Sequence, residues 1–189
     1  LILFLPNWSN GNPYQNLLKK AIEKQGVSVC YKDFSKGLFS LSRVINEEPF
    51  VTVLHVHWIN NLIENIFWSK ISIIQLIKLV LLALDVLYVR IRGVKVIWTI
   101  HNLVGHETNN RELEIKARKI LAKMCSHIII HSRSACNMVE KTYNVNISRK
   151  VSIIPHGNYD GCYVLDKNKA LELKEQLHLE DDSIVLLFF

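Results

Sequence analysis

The sequence predicts an α/β fold: a parallel, doubly wound sheet flanked by helices on both faces. Short all-apolar runs alternate along the chain with stretches whose apolar residues recur at helical spacing. The apolar runs lack the in–out alternation of a strand that faces water, so they read as strands covered on both sides. Glycine, proline and small polar residues punctuate the junctions between the two kinds of segment.

Leu1 to Leu5 is the first such strand, followed by a polar loop from Pro6 to Gly11. Asn12 is placed to cap a helix with Pro13 at its first position, where a missing N–H costs nothing. Tyr14, Leu17, Leu18, Ala21 and Ile22 fall on one face of that helix. Gly26 ends it, and Val27 to Tyr31 returns as a second strand. This β-loop-α-β unit is the building block of doubly wound folds. Val51 to His57, Val94 to Ile100, His127 to His131 and Val151 to Ile154 are further strands, the last stopped by Pro155. Arg111 to Met124 reads as a helix with Leu113, Ala117, Ile120, Leu121 and Met124 inward. Ser132 caps a helix from Arg133 to Tyr143. Lys167 to Leu177 is a helix of mixed charge, and Ile184 to Phe189 reads as a final strand.

Ile71 to Ile91 is strongly apolar and about the length of a bilayer span. Gln75, Lys78 and Asp85 interrupt it, and each is costly in hydrocarbon. The segment reads as a buried core helix, as a helix resting on a membrane surface between Lys70 and Arg90/Arg92, or as a true span.

The 189 residues suffice for one α/β domain and the start of another. A chain that starts and stops inside strand-like runs reads as part of a longer protein. The formal charge of +6 is concentrated between Lys70 and Lys150. That section suits an anionic nucleotide, phosphate or acidic membrane surface, or forms a solvated face. No recognised nucleic-acid module accompanies the charge. Cys30, Cys125, Cys136 and Cys162 show neither CxxC spacing nor a disulfide rhythm, which fits a reducing cytoplasmic setting. No signal peptide is visible in this stretch.

In open α/β sheets, ligands bind beyond the carboxyl ends of the strands. Those ends here carry Asn7 to Gln15, His55-Val56-His57-Trp58, Thr99-Ile100-His101-Asn102, His131-Ser132 and Pro155-His156-Gly157-Asn158. Amides and imidazoles bond sugar hydroxyls, and indole faces stack on sugar rings. Each residue also has a plainer reading. His55 and His57 share a strand face and are either a metal-binding pair without a suitably spaced third ligand, or packed, hydrogen-bonded histidines. His101 is a general acid/base, a neutral donor to a hydroxyl, or a buried histidine bonded to backbone. His106-Glu107 is a charge pair in a loop or mere surface, and Asn12 a helix cap that can also meet a ligand. No GxGxxG, P-loop, GxSxG or DxD stands in the chain, which argues against a dinucleotide fingerprint and a metal–nucleotide clamp.

Val96-Ile-Trp-Thr-Ile-His-Asn102 and Val151-Ser-Ile-Ile-Pro-His-Gly-Asn158 resemble the paired signatures of GT-B glycosyltransferases of the family 4 type. With Asn12-Pro-Tyr-Gln15 and His55-Val-His-Trp58, they are similar to a bacterial subgroup that builds exopolysaccharide or capsule. The resemblance implies the Rossmann-like, N-terminal, acceptor-side half of a GT-B fold over residues 1–160. A linker and helix would follow over 161–183, with the start of a donor domain at 184–189. It implies transfer of a hexose from a nucleotide diphosphate sugar to a saccharide or polyprenyl-linked saccharide, with retained configuration and no metal or other cofactor. His101 matches the histidine facing the transferring sugar. Asn12, Tyr14, Gln15, His57, Trp58, Asn102, His156, Gly157 and Asn158 are the expected acceptor- or donor-binding residues. The usual Gly-Gly of the first loop is Asn-Pro here, which weighs against close backbone contact with a pyrophosphate. The implied setting is cytoplasmic, at the inner face of the plasma membrane, and the fragment alone is expected to be inactive. The competing readings are a non-catalytic sugar- or nucleotide-binding module, a sugar-nucleotide epimerase of related architecture, and a scaffold domain. No acidic cluster at the first strand's end supports a receiver domain.

Overall fold

The structure is a computed structural model that describes residues 1–67, 71–105, 110–163, 166–180, 183 and 185. Its residues fall into two compact units, Leu1–Gly157 and Asn158–Phe189.

The first unit holds six parallel strands: β1 (Ile2–Leu5), β2 (Val29–Tyr31), β3 (Val53–Val56), β4 (Lys95–Thr99), β5 (His127–Ile130) and β6 (Val151–Ile153). Their order is β2-β1-β3-β4-β5-β6. Ile2 pairs with Val29 on one side and Val53 on the other, so the winding reverses at β1. Helices α1 (Pro13–Glu23), α2 (Ser40–Glu47), α3 (Asn60–Phe67), α4 (Ser72–Ile91), α5 (Arg111–Met124) and α6 (Arg133–Tyr143) form the connections. The expected Rossmann-like α/β class is the observed one. Leu3, Phe4, Leu5, Leu54, Ile128 and Ile130 are fully buried in the sheet. Each such side chain contributes about 1.5–3 kcal/mol through removal of apolar surface from water.

Two helices depart from the sequence expectation in what they bury. Asn12 caps α1 as expected, accepting from the Tyr14 N–H at 2.8 Å. Yet Leu17 and Ala21 face solvent, and the buried residues are Tyr14 and Gln15. Leu18 and Ile22 are half-buried, so the stripe is only partly core. In α5, Leu113, Ala117 and Leu121 are buried as expected, but so are the charged Glu114 and Arg118.

The apolar segment forms α4, and only part of it is core. Leu79, Leu82, Val86 and Val89 pack inward, whereas Ile73, Leu76, Ile77, Val80, Leu84 and Ile91 stay exposed. Of the three readings, the structure shows a helix buried along one face only. Asp85, near the middle, is 2% exposed and faces the protein. Its carboxylate accepts from the N–H groups of Leu41 and Ser42, both at 2.8 Å, and from the Ser42 hydroxyl at 2.6 Å. Helix α2 starts from Phe39 in the left-handed region (φ 57°) with no capping side chain of its own. Asp85 supplies that missing cap from another helix, satisfying N–H groups that a helix start leaves open.

The second unit holds α7 (Lys167–Gln176), capped by Asp166 through the N–H groups of Asn168 and Lys169. The strand expected at Ile184 to Phe189 lies outside the described residues apart from Val185, as does the His106-Glu107 pair.

Replacing Asp85 with alanine leaves two buried helix-start N–H groups and a hydroxyl without their charged acceptor. Urea denaturation of Asp85→Ala is expected to show a loss of about 3 kcal/mol, with a smaller loss for Asp85→Asn, which keeps one acceptor oxygen.

Candidate functional site

The winding reversal between β1 and β3 opens a crevice at the strands' carboxyl ends. The loop after β1 is held there by Gln15, whose side-chain N–H donates to the Pro6 carbonyl and whose oxygen accepts from the Trp8 N–H, both at 2.8 Å. Asn16 ties the same loop at Ser9. Gln15 is fully buried, so it shapes the loop from behind.

Into this crevice the strand ends deliver aromatic rings. His55 and His57 point to one side of β3, their rings 4.1 Å apart. His55 is hydrogen-bonded to the Thr99 hydroxyl at 2.8 Å, the packed-histidine reading. His57 is 1% exposed and lies between Phe4, at 4.7 Å, and Tyr14, at 5.6 Å. His101, just past β4, stacks on Trp58 at 4.6 Å and 12°. Trp8 covers Trp58 from the first loop at 5.5 Å. His131, just past β5, sits 5.1 Å from His101, and His156 lies against both His131 and Tyr14. Thus Tyr14, His57, Trp58, His101 and His156 are brought together. Asn102 is exposed, and its carbonyl accepts from Arg118. Gly157 closes the first unit, and Asn158 opens the second.

Sequence reasoning did not assign a site role to His131, Trp8 or the network behind His101. His131 stood among the polar strand ends, and that was its only signal. Its Nδ1 is 2.9 Å from the Ile154 carbonyl; a carbonyl only accepts, so Nδ1 donates and Nε2 is the nitrogen left toward the cluster. Behind the loop after β4, Glu114 and Arg118 form a buried ion pair at 2.6 Å. Glu114 accepts from the Gly105 N–H, and Arg118 donates to the Asn102 carbonyl and to the Asn60 side chain. The Tyr143 hydroxyl donates to the Leu103 carbonyl at 2.7 Å. Helices α5 and α6 thereby clamp the backbone that follows His101.

Three imidazoles of this cluster, His55, His57 and His101, are held neutral. Burial, aided by the other imidazoles, lowers His55 and His101 from the ordinary 6.5 to about 3. His57 is pushed well below its ordinary value for the same reason. Both nitrogens of His57 and the Nε2 atoms of His101 and His131 are buried with no hydrogen-bond partner among the described residues. An unmade buried hydrogen bond costs about 1–3 kcal/mol, so four in one cluster mark a place that a polar ligand would satisfy. A neutral imidazole offers one donor and one acceptor, the complement of a hydroxyl, and the Trp8–Trp58 faces suit a sugar ring. Among the described residues no group of three or more histidine, cysteine or acidic side chains is arranged to hold a metal ion.

A parallel sheet with a cleft of polar and aromatic side chains at its switch point defines a Rossmann-like α/β domain of the ligand-binding kind. The description "Glycosyltransferase Family 4" matches residues 36–158, more than half of the chain, and the chain belongs to that family. Among solved structures it is similar to Anabaena HepE in complex with UDP and glucose, at 14% identity and a TM-score of 0.51, covering 94% of this chain and 50% of that one. HepE in complex with UDP-glucose gives 14% identity and a TM-score of 0.50, with 94% and 49% covered. The chain thus spans about half the length of HepE, and at this identity the likeness shows the fold. No curated protein sequence matches the chain.

Two outcomes follow from this geometry. In the unfolded chain the cluster histidines titrate near 6.5, and in the fold His55 and His101 titrate at about 3. Between those values the unfolded state binds more protons, so their contribution is complete above pH 6.5 and is lost as the pH falls toward 3. Urea midpoints measured across that window are expected to fall with pH, and less steeply in His101→Gln than in the wild type. Arg118→Leu leaves Glu114 buried and uncompensated, and its unfolding free energy is expected to drop by about 3 kcal/mol or more.

Proposed function

We propose that this domain is the acceptor-side half of a two-domain GT-B enzyme. It would transfer a hexose from a nucleotide diphosphate sugar to a saccharide or polyprenyl-linked saccharide. The observation that carries this reading is the set of unpartnered buried imidazole nitrogens at the sheet's switch point, in a chain of glycosyltransferase family 4. The UDP, glucose and UDP-glucose bound by HepE support the donor class. In this reading residues 1–160 are the acceptor-side domain, 161–183 the linker and helix, and 184–189 the first strand of the donor domain.

His101 is the residue we place against the transferring sugar. Its ring is braced by Trp58 and its loop by Arg118 and Tyr143, so it meets a hydroxyl without reorienting. Being neutral, it acts as a hydrogen-bond partner or proton acceptor and not as a fixed cation. Tyr14, His57, Trp58, Asn102 and His156 to Asn158 are assigned to the acceptor and to the sugar's rim, and the start of α1 from Asn12 to Gln15 sets the floor. Transfer with retained configuration and without a metal, a role in exopolysaccharide or capsule assembly, and a cytoplasmic setting at the inner membrane face complete the proposal. The fragment would bind sugar and not turn it over alone.

The test is a transfer assay on the full-length protein with a panel of nucleotide sugars and membrane lipid extract, scored for sugar moved to lipid and for free sugar. Transfer is expected, reduced about 100-fold or more in His101→Ala. Epimerised or hydrolysed sugar without acceptor would replace this reading with an epimerase. Binding without turnover would replace it with a binding module.

A further inference from the structure

We infer that the outer face of α4 lies flat on a bilayer of anionic lipid. The face is built on a strict alternation of four- and three-residue steps: Ile73, Ile77, Val80, Leu84, Leu87 and Ile91. These six side chains are 42–74% exposed. Together they present on the order of several hundred Å² of apolar surface, as much as or more than a monomeric soluble protein leaves uncovered without use. The helix's acid does not oppose this contact, because Asp85 is turned inward onto α2.

Charge selects the occupant. At the carboxyl end of the stripe stand Arg90, Arg92 and Lys95, all exposed. Two acids that would offset this basic section, Asp85 and Glu114, are buried. Tyr88 sits at the edge of the stripe with its hydroxyl bonded to Arg92 at 2.9 Å, an apolar ring with a polar tip, as at a headgroup boundary. An apolar strip about 30 Å long with a basic end matches the acyl–headgroup boundary of anionic lipid. A second copy fits less well. The flanking positions Ile74, Leu76, Leu81 and Ala83 are apolar, where paired helices carry opposite charges that set register.

The test uses vesicles of phosphatidylcholine with and without phosphatidylglycerol, and co-sedimentation of the full-length protein. Partition is expected onto the anionic vesicles, at least tenfold above the neutral ones. The double substitution Ile77→Glu with Leu84→Glu is expected to abolish it, while circular dichroism shows unchanged helix content, because both side chains point away from the core. Arg90→Glu with Arg92→Glu is expected to weaken it by on the order of tenfold or more. Equal partition of the apolar-face variant and the wild type overturns the inference, as does no partition by the wild type. A concentration-dependent dimer that the apolar-face variant dissolves also overturns it, in favour of a second copy. Transfer to a soluble saccharide, measured on the same variants, is expected to be unchanged, so failure here is distinct from failure of the enzymatic reading.

Discussion

A parallel sheet wound in one direction hides the carboxyl ends of its strands beneath successive crossovers. Here β1 sends the chain outward to β2 and is then flanked on its other side by β3, and between those two strands no crossover fills the gap. The polar groups of the site reach one another because of that reversal. The first loop, the His57-Trp58 turn and the loop after β4 converge on the opening, and His131 and His156 close its far side. Without the reversal the same residues would be spread along a covered edge.

The strands were legible because a strand buried on both faces must be apolar throughout, and such runs are short enough to be told from helices. Their ends were not: Val27 and Ser28 look like strand but precede the first pairing, at Val29. Helices α2 and α3 gave no signal. For α2 the cause is physical, since its cap is Asp85, more than forty residues away, and the residue at its start is a left-handed phenylalanine. Local pattern cannot show a cap borrowed across the fold. Glu114 and Arg118 are the opposite case. Charged residues spaced four apart on a helix carry no sign of burial in the sequence, and only the packing of α5 against the loop after β4 buries them.

The site shows the same division. That histidines, amides and indoles gather at strand ends follows from the carboxyl-end rule and the order of the residues. Which nitrogen of His131 faces the cleft depends on the Ile154 carbonyl beside β6, a fact of register and not of sequence. The neutrality of His55, His57 and His101 is likewise collective, because burial dominates and each ring's neighbours are other rings. The cluster therefore offers shape and hydrogen bonding where a lysine- or arginine-lined cleft would offer charge.

Helix α4 is long and apolar enough to cross a bilayer. Asp85 bears on what happens to it before any fold exists. While the chain is being synthesised, a segment of this kind is a candidate for lateral release into the membrane by the insertion machinery. A carboxylate near the helix centre adds about 2.5–3.5 kcal/mol against that outcome. The residues it will cap, Leu41 and Ser42, lie earlier in the chain and leave the ribosome first. The carboxylate thus has two successive uses. It counts against integration while α4 is a nascent segment, and once α2 is in place it becomes the fastening that keeps the helix on the protein.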